Sequence, residues 1–375
     1  MTWSVHIVLT LVAILWIGQY LYSWFRVVAF FNTEPIQPSN ISTESIEIIC
    51  TFRNEKATLT SFLDNCRLIL EEPSVCITLV NDHSDDNSAE LIQEHAIFGN
   101  KNFQLIHSPH NIQGKKQNLN WAIEKSNATI ILTTDADCII SRNSVESLYG
   151  LLMEKQADLA LGLIAFEGGN SIIEGYQKIE NSALVALSTY HAHLGSPTMG
   201  NAANMIFRRS AYLKTQPFKD NLNIAGGDDI FMIQAFLKSG YRVIYSNDLN
   251  TQVTTSVLSN WNDSWQQRIR WAQKSNYQEF GPTQKSQIQF VVFLVFLWGI
   301  SIHFMLNQEY AVLFGIWSFK ILGEFIFIER LFTKLKQPQP SYRSIIMSSI
   351  LQSVWVPAVA LLQFFVPVKW KGRLA

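Results

Sequence analysis

Residues 129–137 read Thr-Ile-Ile-Leu-Thr-Thr-Asp-Ala-Asp. A short apolar run rich in β-branched side chains delivers two carboxylates spaced i and i+2. The run, Thr129 to Thr133, has the length and composition of a buried strand. Two carboxylates so close repel each other, and their pairing makes sense if a hard divalent cation or ribose hydroxyls sit between them. Three similar runs lie upstream, at Glu47 to Thr51, Val75 to Val80 and Phe103 to His107. Helix-like stretches separate them, for example Ala57 to Leu70 and Gln117 to Ser126. This alternation predicts an α/β fold built on a mostly parallel sheet. In such sheets ligands bind at the carboxyl edge of the strands. That edge would receive Cys50-Thr51-Phe52-Arg53-Asn54-Glu55 from the first strand and Asn81-Asp82-His83-Ser84-Asp85-Asp86 from the second. Each cluster taken alone is also compatible with a polar turn.

Two more clusters follow. Gly226-Gly227-Asp228-Asp229 opens a helix expected over Ile230 to Lys238. The acids suit a helix N-terminus, and they equally suit a general base tuned by a second acid. Gln267-Arg268-Ile269-Arg270-Trp271 carries Gln267, Arg270 and Trp271 on or beside one helical face. Trp261 and Trp265 before it suit an interfacial helix, whereas an Arg next to a Trp with a Gln one turn back suits a diphosphate, whose leaving charge an Arg stabilises.

The composition locates these clusters within the chain. Of 375 residues, 48% are hydrophobic and 16% charged, with a net charge of −1. This excludes a disordered polyelectrolyte, a collagen-like fibre and a basic nucleic-acid binder. The near-zero charge is a cancellation: residues 32–286 hold 20 basic and 27 acidic side chains, and the two ends hold 9 and 3. The ends are also where the apolar residues concentrate. Val5 to Phe25 has no Asp, Glu, Lys or Arg and is long enough to cross a bilayer. With no basic stretch before it and no cleavage site after it, it reads as a retained anchor. Further apolar stretches run over 288–306, 310–328 and 344–366, the last interrupted by Pro357. The expected organisation is an anchor over 1–31, a globular domain over 32–286 with an interfacial helix near 261–280, and a membrane region over 287–375.

Arg26 follows the first span and a basic loop lies at 334–343. Both place the domain in the cytoplasm. Three full crossings after the domain would leave Lys369, Lys371 and Arg373 outside, against the same rule. One resolution is that 344–366 re-enters or lies in the interface, broken at Pro357. Cys50, Cys66, Cys76 and Cys138 all fall in the domain and read as small buried hydrophobes rather than disulfides or zinc ligands. Tyr190-His191-Ala192-His193 reads as packing or acceptor contact, with a metal pair at strand spacing as the alternative. Lys320 and Glu324, one turn apart in a span, are expected to pair on a protein-facing side.

The ordered set of clusters, from about Ile46 to Trp271 and into the spans beyond, resembles the membrane-anchored family 2 glycosyltransferases. That group includes ceramide glucosyltransferase and the cellulose and hyaluronan synthases. The resemblance implies a GT-A domain, and the following roles. Thr51 and Glu55 would line the nucleotide site. Asp82 would hydrogen-bond the base, most simply uracil, although Asn81 stands where the family usually has a second acid. Lys115 would sit near the nucleotide. Asp135 would face the ribose or donor sugar and, with Asp137, hold Mg²⁺ or Mn²⁺ against the diphosphate. Asp229 would be the base, with Asp228 replacing the family's Glu beside it. Gln267, Arg270 and Trp271 match the family's Gln-x-x-Arg-Trp motif, at the acceptor end and the diphosphate.

The function expected is inverting transfer of a sugar from a nucleotide-sugar, most simply UDP-linked, to a lipid or membrane-proximal glycan. The expected location is a bacterial inner membrane with the catalytic domain in the cytoplasm. A processive polysaccharide synthase is one alternative, and at most four candidate spans favour single addition over it. A non-catalytic sugar-nucleotide sensor or membrane scaffold is another.

Overall fold

The apolar runs form strands at the expected places, with ends shifted by a residue or two. A computed structural model of the chain describes residues 2–31, 44–222, 224, 226–367, 369, 370, 373 and 374. Its elements are α1 (Thr2–Phe30), β1 (Ile46–Phe52), α2 (Lys56–Ile69), β2 (Val75–Asn81), α3 (Ser88–Glu94), β3 (Phe103–His107), α4 (Lys115–Lys125), β4 (Ile130–Thr134), β5 (Cys138–Ile139) and α5 (Arg142–Glu154). Then come β6 (Leu159–Leu161), β7 (Ile164–Glu167), α6 (Ile172–His193), β8 (Met205–Arg208), α7 (Arg209–Thr215), α8 (Asp228–Lys238), β9 (Val243–Tyr245), β10 (Val253–Ser256) and α9 (Trp261–Ser275). Three long helices follow, α10 (Pro282–Leu306), α11 (Tyr310–Lys334) and α12 (Tyr342–Leu362), and after them a short antiparallel pair, β11 (Lys369–Trp370) and β12 (Arg373–Leu374).

The main sheet has the order β3-β2-β1-β4-β8-β6-β9. β3, β2, β1 and β4 run parallel, and β8 is antiparallel to both of its neighbours. Side chains alternate along β1: Ile46, Ile48, Cys50 and Phe52 enter a core under α2, α3 and α5, whereas Ile49 enters one under α4, α7 and α8. The strand order reverses direction between β1 and β4, the position at which a doubly wound sheet opens a crevice. Register brings the strand ends together there: Phe52 pairs with Asn81, and Cys50 with Thr134. Asp82 and Asp135, the residues that follow these ends, are therefore about one strand spacing, roughly 5 Å, from the β1 line.

α1, α10, α11 and α12 are long and apolar enough to cross a membrane. Lys320 and Glu324 pair as expected, at 2.8 Å and fully buried. Glu324 also accepts from Tyr20 Oη (2.7 Å) and Gln352 Nε2 (2.8 Å) and from the Ser349 hydroxyl, which joins α1, α11 and α12.

The alternative of a metal pair at strand spacing is corrected: His191 and His193 lie on the 22-residue helix α6, not on a strand, and there His191 Nδ1 meets Thr283 Oγ1 at 2.9 Å and the His193 ring lies 4.5 Å from that of Phe30, the packing expected. The helix is set by its capping box, in which Ser171 accepts from the Glu174 N–H and Glu174 from the Ser171 N–H. Nor does Pro357 break the last apolar stretch, since α12 runs through it. A proline in a helix leaves the carbonyl four residues back without its donor. That carbonyl is Ser353, and it accepts instead from Trp298 Nε1 of α10 at 2.9 Å. Both ends of α12 touch the domain. At the start, Gly175 of α6 admits Ser344, whose Oγ a Cβ at 175 would meet at 2.5 Å. At the end, Gln273 Nε2 of α9 donates to the carbonyls of Gln363 (2.8 Å) and Val366 (3.0 Å). Of the basic ending, Lys371 lies outside the described residues. The four cysteines are free, three of them buried and Cys76 half-buried.

Candidate active site

The acids after β4 and those opening α8 are 93 residues apart in sequence, and one lysine joins them. Lys115 is the first residue of α4, preceded by Gly114 at φ +85°. Its Nζ lies 2.7 Å from Asp135 Oδ1 and 2.8 Å from Asp228 Oδ2. Burial pushes this ammonium down, but the two carboxylates hold it well above its usual range. Asp228 shows the converse: burial raises its carboxyl, and Lys115, with Lys274 farther off, brings it below the ordinary value.

Asp228 and Asp229 form the first turn of α8, which begins two residues earlier than expected, after Gly227 at φ +76°. Carboxylates there complement the helix dipole. Asp229 is 2% exposed, its Oδ1 accepts from the Ile230 N–H at 2.9 Å, and its Oδ2 lies 2.8 Å from Lys274 Nζ of α9. Arg270, one turn before Lys274, is half-buried. Burial lowers its guanidinium, against the pull of Asp135 and Asp228.

Asp82, at the β2 end, is buried, and its Oδ2 accepts from the Gly114 N–H at 3.1 Å. The turn that presents Lys115 is thus fixed by the proposed base-binding residue. Arg53 donates to the carbonyls of Asp82 (3.0 Å) and His83 (2.6 Å), which braces the same edge. Thr51 is half-buried near the end of β1. Glu55 stands at the β1–α2 corner, where its carboxylate accepts from Thr58 Oγ1 at 3.3 Å and its N–H donates to Ser88 Oγ.

Asp137 is exposed, two residues beyond Asp135. The part of its carboxylate shielded from water, together with the Asp135 charge beside it, pushes its carboxyl up. Among the described residues no three His, Cys, Asp or Glu side chains gather as a metal cage. A Mg²⁺ or Mn²⁺ ion shared with phosphates needs only one or two protein carboxylates, so the Asp135–Asp137 pair fits such an ion without a cage.

The structure therefore brings Asp82, Lys115, Asp135, Asp228, Asp229 and Arg270 to one edge. Gln267 and Trp271 engage Arg268 instead: Gln267 Oε1 accepts from its guanidinium, which lies 4.8 Å from the Trp271 ring centre. Arg268 is itself buried and pairs with Glu180 of α6 at 2.6 Å. Two participants had no role in the sequence reading. Arg268 has its partner 88 residues away, which no local pattern reports. Lys274 did carry a signal, because 267, 270, 271 and 274 recur on one helical face.

α9 serves two structures at once. Trp265, Ile269 and Ala272 pack on Trp355 and Val359 of α12, while Gln273 and Asn276 hydrogen-bond Gln363. At 100° per residue these lie opposite Gln267, Arg270 and Lys274.

Residues 47–215 match the Glycosyl transferase family 2 family. The chain is similar to the poly-beta-1,6-N-acetyl-D-glucosamine synthase of Staphylococcus aureus (strain COL), with 26% identity over 304 residues, which cover 77% of this chain and 70% of that protein. It is 24% identical over 294 residues to the enzyme of that name from Staphylococcus epidermidis, covering 76% and 68%. Among solved structures, a mannosyltransferase from Pyrobaculum calidifontis in complex with GDP-Man and Mn²⁺ superposes with a TM-score of 0.58 at 15% identity, covering 96% of this chain and 98% of that one. The fold is GT-A-like, and the chain carries a family 2 glycosyltransferase domain.

Proposed function

We propose that this chain, a family 2 glycosyltransferase by its domain, transfers a sugar with inversion from a UDP-sugar to a hydroxyl of a lipid or membrane-proximal glycan. The observation that carries this reading is the convergence of Asp135, Asp228 and Asp229 with Lys115, Lys274 and Arg270 at the switch point of the sheet. Thr51, Glu55 and Asp82 line the nucleotide side. Asp137 and Asp135 would hold a Mg²⁺ or Mn²⁺ ion, which would supply positive charge against the leaving diphosphate. Arg270 and Lys115 offset the same growing charge from the protein side. Asp229 accepts the acceptor hydroxyl's proton as its oxygen bonds to the anomeric carbon and the bond to the diphosphate breaks. One base and no placed nucleophile suit a single displacement. Gln267 and Trp271 border the acceptor end.

The domain lies on the cytoplasmic face of a bacterial inner membrane in this reading, with α1, α10 and α11 crossing. α12 lies along the interface, because both of its ends contact the domain, so the basic ending falls on the cytoplasmic side.

The test is a donor panel with membranes containing the full chain and membrane lipid extract, with products read by mass spectrometry. UDP-N-acetylglucosamine comes first, because the relatives named above are N-acetylglucosamine polymer synthases. Asp229→Asn is expected to abolish transfer while UDP binding persists. Equal loss of both removes the assignment of the base, and no turnover with any donor removes the enzyme reading. The same relatives favour a second reading, processive synthesis, which a ladder of product lengths distinguishes from a single addition.

A further inference from the structure

Both oxygens of the Asp229 carboxylate are engaged, one from within its own helix and one from α9. The Ile230 N–H holds Oδ1 at 2.9 Å and Lys274 Nζ holds Oδ2 at 2.8 Å. Two anchors on different elements fix the carboxylate plane. Each oxygen keeps a further lone pair, so an acceptor hydroxyl can still donate to it. The charge environment needs the lysine. Asp229 is 2% exposed and directly follows another buried carboxylate, Asp228. Lys115 of α4 is committed to Asp228 and Asp135, and Arg270 of α9 feels those same two acids. From β9 the group that faces Asp229 is the Tyr245 phenol, whose hydroxyl donates to the Met199 carbonyl. Lys274 is the cation bonded directly to Asp229.

We propose that Lys274 is a positioning residue for the proton-accepting carboxylate, holding Asp229 aimed and tying it to the helix that carries Gln267, Arg270 and Trp271. This rests on the reading of Asp229 as the base. A merely structural ion pair would lower folding and UDP binding together with transfer. A lysine that aims the carboxylate lowers kcat and leaves UDP binding in place.

The experiment measures kcat and KM for transfer, using the donor turned over in the panel above. It uses full-length protein in membranes as wild type, Lys274→Met, Lys274→Arg and Asp229→Asn, with UDP binding by calorimetry as the control for folding. Lys274→Met is expected to lower kcat about 10- to 100-fold through lost aim, with the donor KM and the UDP dissociation constant changed by less than about 2-fold. Lys274→Arg, which keeps a charged donor to Asp229, is expected to recover most of the kcat. An inactive Asp229→Asn beside a Lys274→Met whose kcat is unchanged, or whose UDP binding falls with its kcat, overturns the role of Lys274 alone. An Asp229→Asn that transfers at the wild-type rate overturns the base assignment and the role of Lys274 with it.

Discussion

Replacing Lys115 with Met removes the cation that spans Asp135 and Asp228, at 2.7 and 2.8 Å. At about 3 Å and an effective dielectric constant near 20, each contact has a gross Coulomb energy on the order of 5 kcal/mol. The Asp135 side chain is 36% exposed, so water screens that contact down to the scale of a surface pair, about 1 kcal/mol or less. Asp228 is 10% exposed, and stranding it approaches the cost of breaking a buried pair. The net loss expected is about 2–3 kcal/mol, or roughly 4–12 °C in the unfolding midpoint for a domain of this size. Its pH dependence follows from the shifts. Asp228 is held below its ordinary value, so its contribution is present above about pH 4 and is lost as pH falls through the folded value. Lys115 is held above its ordinary value, so its contribution is present below about pH 10 and is lost only as pH rises through the folded value. The gap between wild type and variant is therefore full from about pH 5 to 10 and narrows below about pH 4. Thermal unfolding of purified protein across about pH 2 to 8 measures it. A gap under about 0.5 kcal/mol at pH 7, or one that does not narrow below about pH 3, refutes the bridging account.

Trp298→Phe leaves the Ser353 carbonyl without a donor and is expected to cost about 1–3 kcal/mol. In a Pro357→Ala background the restored N–H can take over, so the same change is expected to cost less by about 1 kcal/mol or more; additive midpoints in a double-mutant cycle would refute the link. Glu324→Gln strands the fully buried Lys320 of α11 and is expected to destabilise by about 3–5 kcal/mol. Adding Lys320→Met should recover much of that loss, and a double variant less stable than Glu324→Gln alone would contradict it.

The part of the fold legible in the sequence is the part built from local runs. β1 to β4 stood out because each is an apolar stretch ending in a polar cluster, and the acids at those ends could be placed on one edge before their contacts were known. β6 to β10 are three or four residues long, too short for periodicity to report. Other features depend on groups far away in sequence. Nothing near Pro357 announces that Trp298 will satisfy Ser353. Nothing near Arg268 names Glu180. The alternating histidines left strand spacing open as an alternative because they were weighed without the Ser171–Glu174 capping box that starts the helix beneath them. Lys274 was the residue most within reach, because it continues the helical spacing of Gln267 and Arg270.

The two-faced geometry of α9 makes its register indivisible. One inserted residue turns everything beyond it by about 100°, swinging Arg270 and Lys274 away from the acids and in the same motion lifting Ile269 and Gln273 off α12. Seating on α12 and assembly of the charge cluster cannot drift apart gradually, since a change in length that spoils one spoils the other. α9 works like a key cut on both edges: single side chains on it can be exchanged, but its phase cannot.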